Sequence, residues 1–305
     1  MPRAIGKERD SVQPPISIGM PVYNGELYLE AAIRSNLEQT FGDFELIISD
    51  NASTDATGTI CRDLAATDKR IRYVRNDRNL GAASNYNKVF ELARGEYFRW
   101  SNADDVAERH LLARTLEVLR SRPDAVIAYG LTHLIDADGR SLGPHRDNLD
   151  LQHERPSERY RAFYGQGNMT NIIYGLMRAR AMRLTALMGA GSFPSADVQF
   201  TASMALLGKF VEIPEVLFYR RLHKGAMSVS VDQLQYRTFW AASDTLFLLP
   251  TWRYEIAGLK AIVCMPLSLS EKVRLLSFSA KRLLWRRKDL ALDLIGLLRQ
   301  GMADG

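Results

Sequence analysis

Cysteine is nearly missing from this 305-residue chain. Cys61 and Cys264 stand far apart and in no metal-ligand spacing, which argues against both a disulfide framework and a zinc site. No apolar run reaches the roughly 18 residues that a membrane span requires. The stretch from Ile256 to Leu269 comes nearest, and Lys260 and Pro266 interrupt it. The opening MPRAIGKERD has no apolar signal core, so a cytoplasmic protein is the expectation. No G-x-G-x-x-G follows the first apolar run and no P-loop occurs, which sets aside the usual dinucleotide-binding and P-loop classes. Internal repeats and low-complexity tracts are also missing. The net charge of +5, with a sequence pI of about 9.2, suits an anionic ligand or membrane surface but is too weak to argue nucleic acid without a motif.

What is present is ordinary for a soluble domain, 46% hydrophobic and 25% charged residues, and the order of the elements is informative. Residues 1–15 are polar and read as a loose N-terminus. Ile16–Met20 reads as a first strand, closed by Pro21-Val22-Tyr23-Asn24-Gly25, because proline cannot continue a ladder and Asn-Gly is a turn dipeptide. A helix is expected from about Glu26, with Leu29, Ile33 and Leu37 on one face. Phe44–Ile48 is a second strand running into SDNASTD at 49–55, where Ser53 or Thr54 can cap the next helix. Ile71–Arg75 is a third strand, and a helix carrying Tyr86, Val89 and Phe90 follows. Four strands alternating with helices in about 100 residues predict a mostly parallel α/β sheet built from crossovers.

The chain is organised around residues 94–105. Gly95 ends the helical segment, Tyr97, Phe98 and Trp100 form a short buried strand, and Asn102, Asp104 and Asp105 follow at once. Ligands of open α/β sheets gather at the carboxyl ends of strands. Two adjacent carboxylates there call for a positive partner, and a divalent cation carrying a diphosphate fits, since hard cations take oxygen ligands. Alternatively, Asp104 or Asp105 caps the helix expected over Glu108–Leu119.

Further along, Ala125–Tyr129 and Leu131–Ile135 read as two strands, with Asp136–Gly139 as a hairpin turn. Residues 139–156 read as a polar mobile loop near the site. Asn171–Arg178 reads as a strand with a close backbone approach at Gly175. A flexible turn over Gly189–Asp197 leads to an apolar helix over Val198–Leu207, and Val211–Leu222 reads as a strand pair interrupted at Pro214. Residues 224–231 read as a small polar loop. From 232 to 305 the chain becomes helical, beginning at Trp240, Phe247 and Leu248. Leucines there alternate with Lys272, Arg274, Lys281, Arg282, Arg286, Arg287 and Lys288. Two readings stand for this appendage: helices packed on the preceding α/β domain, or attachment to an anionic membrane face.

The strand Ile16-Ser17 through Pro21-Val22-Tyr23-Asn24, SDNASTD at 49–55, NLGAASN at 79–85 and NADD at 102–105 together resemble the family 2 glycosyltransferases, over residues 16 to about 225. The resemblance implies a GT-A fold over residues 16–231, with the helical appendage behind it. It implies an inverting enzyme that moves a sugar from a nucleotide-diphosphate sugar, UDP favoured, to a saccharide or lipid-linked saccharide hydroxyl in bacterial cell-surface polysaccharide or glycolipid synthesis.

Residue by residue, the resemblance places Pro21, Tyr23, Asn24, Asp50 and Asn85 at the nucleotide. It places Asn102, Asp104 and Arg221 at the donor, Asp104, Asp105 and His223 at Mg²⁺ or Mn²⁺, and Asp197 as the base that deprotonates the acceptor. Asn102 stands where the family usually has Asp. On the residues alone, Asp50 is also a turn former, Asp197 a helix cap, and Arg220, Arg221 and His223 a solvated basic face. Two other functions remain open: a sugar nucleotidyltransferase, although no Gly-rich phosphate loop follows the first strand, and a non-catalytic sugar-nucleotide-binding module of the same fold.

Overall fold

The computed structural model describes residues 13–165, 171–189, 195–226 and 249–303. The expectations for residues 1–12, for most of the 189–197 turn, for Trp240, Phe247 and Leu248 and for the boundary at 231/232 lie outside the described residues. Among these described residues, nine strands form one sheet in the order β3-β2-β1-β4-β8-β6-β9-β5, with β7 paired to β6. The strands are β1 (Ile16–Val22), β2 (Phe44–Asp50), β3 (Ile71–Arg75), β4 (Tyr97–Trp100), β5 (Val106–Ala107), β6 (Ala125–Ile135), β7 (Ser141–His145), β8 (Leu176–Arg178) and β9 (Lys209–Arg221). The helices are α1 (Leu29–Leu37), α2 (Thr57–Thr67), α3 (Ala82–Glu91), α4 (Leu111–Ser121), α5 (Pro156–Gly165), α6 (Ala179–Met182), α7 (Ala196–Leu207), α8 (Pro250–Cys264), α9 (Leu269–Trp285) and α10 (Arg287–Ala303).

β1, β2, β3 and β4 are mutually parallel. β8 runs antiparallel to both β4 and β6, and β6 is parallel to β9. Six strands therefore share one direction, and their carboxyl ends define a single edge. Side-chain alternation splits the core between the two faces. Ile16, Ile18, Met20, Leu46 and Ile48 pack with residues of α1, α2 and α4. Ile47, Phe98 and Trp100 pack with Val89, Phe90 and Phe200. Gly175 is a required close approach, since a Cβ there would stand 2.6 Å from the Ala128 carbonyl oxygen.

Several local expectations change. β1 runs on through Pro21, which pairs with Ser49. Gly19 accepts from the Ser101 amide on the β4 side and Val22 from the Asn51 amide on the β2 side. By alternation, the nitrogen of Pro21 faces the β4 side, where β4 has already ended, so its missing N–H removes no ladder bond. Neither Ser53 nor Thr54 caps α2, whose N-cap is Ala56; the Ser53 hydroxyl instead accepts from the Asn24 amide. The two strands expected over 125–135 are one, and so are those over 211–222. Between β6 and β9 the register steps from Gly130–Ile213 to Leu131–Val216, so Pro214 sits in a bulge rather than a break. Residues 171–174 form a 3₁₀ turn before β8. The expected loop over 139–156 contains β7 and the buried Leu149 and Leu151.

Candidate active site

Six described connections meet at the carboxyl edge: those after β1, β2, β3, β4, β6 and β9. The first two are tied together. The Asn24 side-chain oxygen accepts from the Thr54 amide, with Asn24 itself at φ 48°, a left-handed geometry that Asn tolerates. The Gly25 amide donates to the Thr57 hydroxyl and the Glu26 amide to Asp55, while Glu26 accepts from the Ala56 amide. Tyr23 projects outward, 44% exposed, and Pro21 lies buried beneath it at the strand end.

Asp50 ends β2 and is fully buried. One oxygen accepts from the Ser53 amide at 2.8 Å, and the other from the Tyr73 hydroxyl at 2.8 Å and the Arg75 guanidinium at 2.6 Å. Burial pushes this carboxyl upward, but the bonds from Ser53, Tyr73 and Arg75 outweigh it and hold the group below its ordinary value. A cleft of about 190 Å³ opens beside it, lined by Arg75, Asn76, Asp77, Arg78, Leu80 and Lys88.

Asn85 is turned into the protein. Its carbonyl oxygen accepts from the Ser49 hydroxyl and Asn76, and its amide donates to the Ser49 carbonyl. Asn51 joins the same net through Asn76, Asn79 and the Leu80 amide, and Lys88 donates to Asn76. This chain of amides orders the β2 and β3 ends against each other. Sequence reasoning missed it, because isolated asparagines in turns give no sign that they meet.

The NADD turn after β4 divides its labour. Asp105 is 4% exposed; one oxygen accepts from the Arg221 amide at 2.8 Å and the other from the Asn102 side-chain amide at 2.9 Å. Burial and the adjacent Asp104 charge lift its carboxyl to about 7 against those two bonds. Asp105 was expected at the metal, but here its oxygens serve the protein interior. Asn102 also accepts from the Tyr86 hydroxyl at 2.6 Å.

Asp104 points outward, 31% exposed, and its Oδ2 lies 3.1 Å from Nε2 of His223. The His223 ring lies 4.8 Å from that of Tyr28, with the Arg221 guanidinium 4.6 Å from the same Tyr28 ring. Tyr28 had no sequence signal. Neither aspartate caps a helix, since α4 starts at Leu111 with His110 as its N-cap.

Arg221 is not a solvated cation. It is 8% exposed and donates to the carbonyls of Asp104, Asp136 and Ala137. Arg220 donates to Asn171.

Asp197 is the second residue of α7, and Ser195, at φ 68°, is the N-cap. α7 leads through Gly208 into the start of β9, and Asp197 lies in its first turn. One turn later, the Phe200 ring meets Trp100 at 5.0 Å, and Trp100 is the last residue of β4, four before Asp104.

Two atoms bound to one octahedral Mg²⁺ at about 2.1 Å and at right angles lie about 3.0 Å apart. The 3.1 Å between Asp104 and His223 fits that spacing, and a carboxylate with an imidazole is a suitable donor pair for Mn²⁺ as well. Among the described residues, no three His, Cys, Asp or Glu side chains gather to hold an ion unaided, so further ligands would come from a bound diphosphate and water.

Residues 17–183 match the sequence profile of glycosyl transferase family 2. The chain belongs to that family. The match covers the first four strands and the NADD turn but stops before Asp197, Arg221 and His223. An uncharacterized glycosyltransferase of Haemophilus influenzae is 28% identical over 233 residues, 74% of this chain and 71% of its own length. Chondroitin synthase of Escherichia coli is 25% identical over 252 residues, which span 81% of this chain but only 34% of the synthase.

Among solved structures, S. aureus TarS 1–349 in complex with UDP-GlcNAc superposes with a TM-score of 0.64 at 17% identity, covering 91% of this chain and 75% of that one. The mannosyltransferase PcManGT of Pyrobaculum calidifontis, in complex with GDP-Man and Mn²⁺, gives 0.50 at 18%, covering 93% and 85%. The fold of this family 2 glycosyltransferase is thus the GT-A fold. Among the described residues, no helix is long and apolar enough to cross a membrane.

Proposed function

We propose that the chain is a metal-dependent, inverting glycosyltransferase that moves a sugar from a nucleoside-diphosphate donor to a hydroxyl of a saccharide or lipid-linked saccharide, in cell-surface polysaccharide or glycolipid synthesis. The observation that carries this reading is the Asp104–His223 pair, set 3.1 Å apart at the carboxyl edge. Asp104 and His223 would hold Mg²⁺ or Mn²⁺, which would supply Lewis-acid charge to the diphosphate leaving group.

Asp50 is assigned to the base end of the site, where its buried carboxylate holds Tyr73 and Arg75 in place, and Pro21 and Tyr23 lie at the same end. UDP is the favoured nucleotide, in keeping with the UDP-GlcNAc bound by TarS. Arg78 and Lys88 on the neighbouring cleft add positive charge toward an anionic ligand. Asp105, Asn102 and Arg221 fix the turn that aims Asp104, and so act by positioning. Asp197 accepts the acceptor hydroxyl proton as that oxygen attacks the anomeric carbon, so a single displacement inverts the configuration without an enzyme nucleophile. Work on the cytoplasmic side, next to a membrane that holds the acceptor, belongs to the same reading.

A thermal-shift panel of UDP, GDP, dTDP and CMP compounds, with and without Mn²⁺, tests it. A ligand at about 100 times its Kd stabilises by about 2.7 kcal/mol. One nucleoside diphosphate should raise the melting temperature by several degrees, and only with metal. Asp104→Asn should remove the metal dependence, whereas Asp197→Asn should keep the donor shift and abolish transfer. A panel with no shift at all would overturn the reading.

A further inference from the structure

Residues 249–305 hold ten Lys and Arg against five Asp and Glu, a net of +5, which is the net charge of the whole chain. The acids among the described residues there are engaged. Glu255 accepts from Arg282 and Arg286, Glu271 from the Ser157 amide, and Asp293 from the amides of Thr251 and Trp252, while Asp289 pairs with Arg286. The charge presented outward is therefore basic.

The same helices expose apolar side chains in register. On α9, Leu269 (79% exposed), Val273 (59%), Leu276 (39%) and Leu284 (64%) fall within about 80° of arc at 3.6 residues per turn. This stripe is separate from the inner face, where Leu275, Ser279 and Arg282 are buried. On α10, Ala291, Leu294, Ile295 and Leu298 share a face at i, i+3, i+4 and i+7 and are all exposed. Such stripes are large for a surface with no function. Lys272 and Lys281 flank the α9 stripe on opposite sides, and Arg287 and Lys288 open α10. Beside Trp285, itself 68% exposed, a hollow of about 210 Å³ is lined by Arg161, Ser277, Phe278, Lys281 and Trp285.

Apolar stripes with basic flanks, beside acids that are each hydrogen-bonded or ion-paired, match one kind of surface: an acyl boundary beneath negatively charged headgroups. A second copy of this chain would bring its own basic flanks against these. We propose that the outward face of α9 and α10 docks on an anionic lipid leaflet, with Arg161, Ser277 and Lys281 receiving a headgroup phosphate beside the Phe278–Trp285 ring pair, whose centroids are 6.3 Å apart. The inference deepens the reading of a membrane-held acceptor but does not depend on donor chemistry.

The test is co-sedimentation of the full chain with phosphatidylcholine vesicles, with and without about one third phosphatidylglycerol, in the absence of any nucleotide. The chain should partition onto the anionic vesicles and be released by high salt. Leu276→Glu with Leu284→Glu should abolish partition while leaving the melting temperature unchanged, because both positions are exposed. Arg161→Gln with Lys281→Gln should weaken partition about 25-fold, at about fivefold per cation. Equal uptake on neutral vesicles, no uptake, or full uptake by the Leu276→Glu/Leu284→Glu variant would overturn the proposal. A wild-type dimer that this variant dissociates, with no vesicle uptake, would assign the face to self-association instead.

Discussion

Arg282→Met is the sharpest test of how the C-terminal helices are joined to the catalytic sheet. The Arg282 guanidinium, on an 11% exposed side chain, donates to Glu255 at 2.8 Å. Its carbon also sits 3.5 Å from the centre of the Tyr164 ring on α5. The Tyr164 hydroxyl accepts from Tyr254 and donates to Gln199, two residues beyond Asp197 on α7. One cation thus links α9, α8 and α5, and through them the helix that carries the proposed base.

Breaking a buried pair from one side costs about 3–5 kcal/mol, because the remaining charge stays buried. Arg286 still reaches Glu255 at 3.1 Å and methionine refills the volume, so the lower end, about 3 kcal/mol, is expected. At about 2–4 °C per kcal/mol for a domain of this size, the melting temperature should fall by about 6–12 °C in a single transition. Combining it with Glu255→Gln should give less than the sum of the two single losses, with a coupling of at least about 1 kcal/mol. A loss below about 1 kcal/mol, or strict additivity, would show that the pair is solvated and the helices only loosely attached.

Gly175→Ala should cost about 1–3 kcal/mol in urea unfolding, since the added methyl meets the Ala128 carbonyl oxygen at 2.6 Å and Tyr129 Cβ at 2.7 Å, and a backbone atom cannot give way. For Asp50, the folded carboxyl lies below its ordinary value of 3.8. Its contribution is therefore present above about pH 4 and lost as pH falls through the folded value; Asp50→Asn should flatten the acid limb of the stability curve there, and an unchanged limb would refute the assignment. Burial lifts the Cys61 thiol to about 12 while Cys264 is exposed, so a thiol reagent at pH 8 should label one cysteine in the native chain and both after unfolding.

The first four strands were legible because each is a short β-branched or aromatic run stopped by turn residues, and Ile71–Arg75 falls where expected to the residue. Boundaries failed where a long-range partner decided the matter. Pro21 stays in its strand only because β4 ends beside Gly19. Ser53 loses its capping role because the Asn24 amide claims its hydroxyl. Pro214 breaks nothing because the β6–β9 register absorbs it as a bulge. The acidic positions were legible as a set, from their place after strand ends, but their individual orientations were not. Which way each carboxylate points depends on Arg221, more than 100 residues downstream, and on Asn102 and Tyr86.

That orientation gives a physical reason for the asparagine at position 102. Consecutive side chains in a tight turn diverge, so Asp104 and Asp105 cannot both face the edge. Asp105 goes inward, where its charge is costly and its carboxyl already sits near 7. A carboxylate at 102 could only add repulsion there. An amide can donate to Asp105 through one arm and accept from Tyr86 through the other, as Asn102 does. The amide keeps a charge out of the turn and supplies a hydrogen bond that braces it. The outward carboxylate of Asp104 is thereby held against His223 by groups that need not touch a ligand themselves.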